Sequence, residues 1–158
     1  MDHPHRDMIE LIGELCFPNL TFETQNLNFG SILCETTKKM NIKIQNVSEM
    51  SFSYQWNFLE EEMDNFSINE VFDILPLSGY LQPGESENVE FIYNSVANHK
   101  VKAIAVCHVE GGPDYEVTLE GDQSLIAYKI SSNLLEFGEV RFCDWVQKEF
   151  YIENTGKV

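Results

Sequence analysis

Leu27-Asn28-Phe29-Gly30 recurs as Leu135-Glu136-Phe137-Gly138, so that position 27 answers to position 135. The correspondence runs on at the same offset without a gap: Ile32 falls on Val140, Ile42 on Phe150, Ile44 on Ile152 and Asn46 on Asn154. Solenoid repeats run at roughly 20–50 residues, so this step is the length of a whole small domain. A chain of 158 residues then holds one complete module and the opening strands of a second copy, a slice of a tandem array. The expected division is a short helix or leader over 1–18, a sandwich over 19–128 and an incomplete second repeat over 129–158.

The hydrophobic pattern has the period of strands. Phe52-Ser53-Tyr54-Gln55-Trp56-Asn57-Phe58 puts its aromatics on one face and its polar residues on the other, as a half-buried antiparallel strand does. Leu20 to Phe29 reads as a strand region ending at Gly30. Met40, Ile42 and Ile44 alternate with Asn41, Lys43 and Gln45, and Asn46 begins a turn, since its side chain can bond the backbone two residues on. An acidic loop runs from Glu60 to Asn65. Phe72 to Pro76 is a short strand whose proline puts it at an edge or an end. Ser78-Gly79 and Gln82-Pro83-Gly84-Glu85 read as turns, and Val89, Phe91 and Tyr93 mark the next strand. Val101 to Val109 is apolar on both faces, which suits a central strand, and Gly111-Gly112-Pro113-Asp114 turns the chain into Tyr115, Val117 and Leu119. Seven short strands in about 100 residues, with frequent turns, describe an all-β immunoglobulin-like sandwich. Ahead of it, Met8, Leu11, Ile12 and Leu15 share one helical face, and Asp7 with Glu10 completes a capping box, so a short helix is expected there.

Acidic residues outnumber basic ones 26 to 10 and the net charge is −16. No Lys or Arg lies between Ile44 and His99. Such a surface repels phosphate and argues against nucleic acid as a partner. No apolar run approaches the ~18 residues of a membrane span, and the N-terminus has neither the basic start nor the small-residue cleavage site of a signal peptide. The four cysteines lack zinc-ligand spacing, and with no secretory signal a reducing compartment is expected. Trp56 and Cys107 sit where an antibody-type core would place its tryptophan and one bridge cysteine, but Ile42 and Ile44 occupy the strand that would carry the other.

No catalytic constellation emerges. Cys107 and His108 are neighbours on a strand and point to opposite faces. His3 and His5 with Cys16 belong to a terminus, and Gly111-Gly112 lacks the strand–glycine–helix setting of a phosphate loop. Glu60, Glu61 and Glu62 lack the alternate spacing that converges on calcium. No cofactor or metal is expected. The acidic run Glu60, Glu61, Glu62 reads as a solvated loop, and more sharply as a candidate dock for a basic partner. Lys38, Lys39, Lys43, Lys100 and Lys102 are the clustered cations of the complete module, able to share one area only if their strands are neighbours. Trp145 is a further candidate contact in the second copy, whose apolar residues lack a partner sheet. An exposed edge could also accept a partner strand.

The pattern Leu27-x-Phe29-Gly30-x-Ile32, Ile42-x-Ile44-x-Asn46 and Phe72-x-Ile74-x-Pro76-x-x-Gly79-x-Leu81-x-Pro83-Gly84 continues through Val89-x-Phe91. It closes with Cys107-x-Val109-x-Gly111-Gly112-Pro113 and Val117-x-Leu119-x-Gly121. Together these resemble the ASH domain, the PapD-like and MSP-like immunoglobulin sandwich of ciliary and centrosomal proteins, over Asn19 to Gly121 and again from Leu135. The resemblance implies a non-enzymatic, structural role in the axonemal central pair of motile cilia. The implied partners are axonemal or cytoskeletal proteins and neighbouring immunoglobulin-like domains of the same chain, in a cytoplasmic, ciliary location. MSP-type relatives imply an alternative, a peptide-binding adaptor at a membrane contact or the cytoskeleton that takes acidic motifs on a basic patch.

Overall fold

Two sheets face each other across an aromatic core. The computed structural model describes residues 8–60, 62–63, 66–95 and 100–158, the side chains of 62, 63 and 66 excepted. His3, His5, Asp7, Glu61, Asp64, Asn65 and His99, and the side chain of Glu62, lie outside that description. In chain order the elements are β1 (Leu20–Phe22), β2 (Asn26–Leu33), β3 (Thr37–Asn46), β4 (Phe52–Phe58), β5 (Glu62–Met63), β6 (Phe66–Ser67), the single-turn helix α1 (Ile68–Val71), β7 (Phe72–Leu75), β8 (Ser78–Leu81), β9 (Ser86–Asn94), β10 (Val101–Val109), β11 (Asp114–Ser124), β12 (Tyr128–Ile130) and β13 (Ile152–Asn154). One sheet has the order β1-β3-β9-β7 and the other β2-β11-β10-β4-β8. This is the expected all-β immunoglobulin-like sandwich.

Period-two alternation builds the core. Ile42 and Ile44, Phe52, Tyr54 and Trp56, Val89, Phe91 and Tyr93, and Val117 and Leu119 all turn inward and are buried. Trp56 meets Phe91 edge-on at 5.3 Å, and Phe29, Phe72 and Tyr93 form a tilted trio with centroids 5.2–5.9 Å apart. Such pairs add about 0.5–1.5 kcal/mol beyond the area they bury. Cys107 is buried beside this cluster, while Cys16, Cys34 and Cys143 are exposed and all four thiols are free.

Several local readings change. The region Leu20 to Phe29 is two strands, one in each sheet: β1 pairs with β3, and β2 runs parallel to β11. Gly30 does not end β2 but lies inside it. Phe29 and Gly30 together face Gly121, since the register steps from Asn28↔Glu120 to Ser31↔Asp122. That bulge needs the left-handed φ of +69° that Gly30 adopts. Ser78-Gly79 belongs to β8, which pairs with β4. The acidic loop contains the short β5–β6 ladder and leads into α1.

Residues 8–19 form no helix, contrary to the expectation for the N-terminus. Met8 is 95 % exposed and Leu11 91 %. A lone helix this short is unstable in water, and the apolar face meant to anchor it touches no surface.

Candidate interaction groove

The five-stranded sheet has one interrupted edge. β8 pairs with β4 only from Phe52 to Gln55, and one further bond follows, Trp56 N–H to Leu77 O at 2.7 Å. Beyond it, among the described residues, no strand lies on that side of β4. Leu59 N–H donates to Ile104 O at 2.9 Å, so by alternation the backbone groups of Phe58 point the other way, to the open side. Across this gap stands β7, the edge of the opposite sheet.

A groove of about 910 Å³ occupies the gap. Trp56, Phe58, Ile68, Ile74, Leu77 and Val106 give it an apolar floor, and Asp73, Asp114 and Glu116 supply carboxylates along the wall. No Lys or Arg is among its lining residues. Asp114 Oδ1 sits 2.7 Å from His108 Nδ1. The buried indole Nε1–H of Trp56 has no hydrogen-bond partner among the described residues. A smaller cavity of about 230 Å³ adjoins it through Leu59 and Ile68 and brings in Glu60 and Lys102. An apolar trough with carboxylates and an open strand edge suits an extended, basic segment. Cys107 is not among the lining residues; burial pushes its thiol up to about 12, with the Asp114 charge adding to the effect, so its thiolate is scarce at neutral pH.

The lysines do not form one patch. Lys38, Lys39 and Lys43 lie on β3 and Lys102 on β10, in different sheets, with Lys100 just ahead of β10. Lys39 pairs with Glu90 at 2.8 Å, while Lys100 and Lys102 share Glu120 at 3.6 and 3.4 Å. Lys38 Nζ donates to Phe29 O at 2.7 Å. Their spacing in sequence gave no sign of which sheet each strand joins. Glu60 borders the smaller cavity, Glu61 and the Glu62 side chain lie outside the description, and Trp145 is 81 % exposed in the C-terminal segment, away from the groove lining. Reading along the sequence missed Asp73, Asp114 and Glu116. The signal available was that Glu116 alternates with the inward Val117 on a strand following a hairpin.

The sheet order and the packing define an immunoglobulin-like sandwich of the PapD-like class. The chain belongs to the OCRL-like ASH-domain family: the profile of the ASH domain of inositol polyphosphate 5-phosphatase OCRL-like proteins matches residues 22–123. The hydrocephalus-inducing protein of Mus musculus is 40 % identical over 103 residues, 65 % of this chain, and its Homo sapiens homolog is 24 % identical across the whole chain. The chain spans 2 % and 5 % of the length of those relatives. PapD-like domain 7 of human CEP192 superposes with a TM-score of 0.56 at 16 % identity, covering 76 % of this chain and 97 % of that domain. The periplasmic chaperone SfaE does so with a TM-score of 0.52 at 10 % identity, over 66 % of this chain and 57 % of the chaperone. At such identities these structures speak to the fold alone. Among the described residues no helix is long and apolar enough to cross a membrane.

Proposed function

We propose that this chain is a structural, non-catalytic interaction unit of a tandem ciliary scaffold, acting in the axonemal central pair in support of cilium assembly and motility. Its groove takes an extended basic segment of an axonemal partner by strand addition to the open side of β4. The observation that carries the binding mode is the coincidence of that strand edge with carboxylates in a lining that holds no Lys or Arg. The ciliary setting is supported by the 40 % identity to the hydrocephalus-inducing protein together with the resemblance to ciliary ASH domains. Residues 129–158 are read as the opening of the next unit. The alternative, an MSP-type adaptor binding acidic motifs, finds less support, because Lys39, Lys100 and Lys102 are already paired with glutamates and the five lysines lie on different sheets.

The test is calorimetric titration of the full chain with an extended Lys/Arg-rich peptide carrying one aromatic anchor, beside its Glu-substituted counterpart. The expected result is binding of the basic peptide, weakened at least about tenfold by Asp73→Lys with Glu116→Lys, a loss of ~1.4 kcal/mol. Preference for the acidic peptide, abolished by Lys38→Glu, would establish the alternative.

A further inference from the structure

One repeat step back from β11 lands on the N-terminal segment. At the offset that relates position 135 to position 27, Val117, Leu119, Gly121 and Asp122 correspond to Ile9, Leu11, Gly13 and Glu14. In β11, Val117 and Leu119 are fully buried, and the backbone at Gly121 lies so close to Tyr93 that a Cβ would come within 2.5 Å of its ring. Ile9 and Leu11 alternate in the same strand period, yet they are 83 % and 91 % exposed. An independent observation concerns the far end of the strand. Lys157 Nζ donates to Asp122 Oδ2 at 2.9 Å, and Lys157 N–H donates to Ser124 Oγ at 3.2 Å. The positions one step earlier are Glu14, Cys16 and Glu49, and their ligand-type atoms also gather within 4.8 Å of one another. The same three positions therefore meet twice, at 14/16/49 and at 122/124/157.

We propose that residues 9–16 are the closing strand of a second sandwich of this same design, and that the meeting of Glu14 and Cys16 with Glu49 is the joint between that sandwich and this one. The occupant that covers Ile9 and Leu11 is an ASH-type sandwich lacking its last strand, and its presence rests on the tandem array of the proposed function. It offers a β10-like strand for antiparallel pairing on one side and a β2-like strand for parallel pairing on the other, as β11 is held here. The approach of Glu14 to Glu49 needs no metal ion, because the equivalent positions meet around a lysine downstream. Among the described residues no cation pairs with the two carboxylates upstream, whereas Lys157 pairs with Asp122 at 2.9 Å downstream.

The test uses the full chain with residues 9–16 written over β11: Val117→Ile, Thr118→Glu, Glu120→Ile, Asp122→Glu, Gln123→Leu and Ser124→Cys. The expected result is cooperative thermal unfolding with Tm within about 10 °C of the parent. A comparison chain carries residues 8–15 over the same positions, one residue out of register, which sets a glutamate at the position of Leu119 and an isoleucine at that of Gly121. It should lose the cooperative transition, because a one-residue slip exchanges the two faces of a strand. Unfolding of the in-register graft, or equal tolerance of both grafts, overturns the closing-strand assignment. The joint is read separately. Glu49→Lys supplies the cation present downstream, and amide protection at residues 14–16 should rise by about threefold; protection unchanged from the parent overturns the joint. Peptide binding in the groove is an independent readout, so failure of one reading leaves the other visible.

Discussion

Asn46 and Asn154, matched by the sequence repeat, make the same bonds. The Oδ1 of each accepts the N–H two residues on, from Ser48 and from Gly156, both at 2.9 Å, and the Nδ2 of each donates to the carbonyl four residues on, Met50 O at 2.8 Å and Val158 O at 3.0 Å. These bonds are local, which is why the turn was legible from the sequence. Asn46 alone is buried and also reaches Leu81 O at 3.2 Å, a contact no local pattern announces. Gly121 is a comparable case. It lies inside β11, which runs on to Ser124, and the Tyr93 ring against it leaves no room for a Cβ. Gly121→Ala should destabilise the fold by about 1–3 kcal/mol, since Tyr93 is wedged between Phe29 and Phe72 and cannot retreat; the midpoint of urea unfolding reads this directly. The thiols should separate by burial. At pH 8 a disulfide reagent is expected to modify Cys16, Cys34 and Cys143 rapidly, whereas Cys107, buried and raised to about 12, reacts only on unfolding. Rapid modification of Cys107 in the folded chain would contradict the burial described.

At the scale of elements, the C-terminal segment forms structure only where its own residues suffice. β12 and β13 pair Tyr128↔Asn154, Lys129↔Glu153 and Ile130↔Ile152, repeating Leu20↔Asn46, Thr21↔Gln45 and Phe22↔Ile44 of β1 and β3 in the same register. The flanking bonds recur as well: Glu23 N–H to Lys43 O becomes Ser131 N–H to Tyr151 O, and Val47 N–H to Asn19 O becomes Thr155 N–H to Ala127 O. The counterparts of β2, residues 134–141, form no strand. β11 is the one strand that pairs with β2, and among the described residues no strand pairs with residues 134–141. Lys157 ties this small ladder to β11. Its ammonium, and then the Ser31 hydroxyl, hold the Asp122 carboxyl below its ordinary 3.8. A carboxyl depressed by folding stabilises above its unfolded pKa and loses that contribution as pH falls through the lower folded value. Amide protection at 128–130 and 152–154 should therefore persist at pH 5, decline only below about 3.8, and fall at neutral pH in Lys157→Glu. Protection independent of both pH and Lys157 would show that Asp122 does not clasp the ladder.

At the scale of the whole molecule, charge was legible in amount but not in place. The acidic excess and the cation-free stretch between Ile44 and His99 suggest a basic partner, and the groove gathers Asp73 from β7 with Asp114 and Glu116 from β11, strands of opposite sheets. The lysines looked like a cluster in sequence, but β3 and β10 enter different sheets, so their proximity along the chain did not become proximity in space. The aromatic alternation of β4, the Asn-led turn and the domain-length repeat step determined the fold class and the register of the repeat by themselves, because each depends on short-range geometry or on which face of a strand is buried. Strand order, the open side of β4, the failure of the N-terminal helix and the convergence of carboxylates were decided only in three dimensions. They depend on which surfaces find partners, and a hydrophobic pattern states that a face must be covered without stating what covers it.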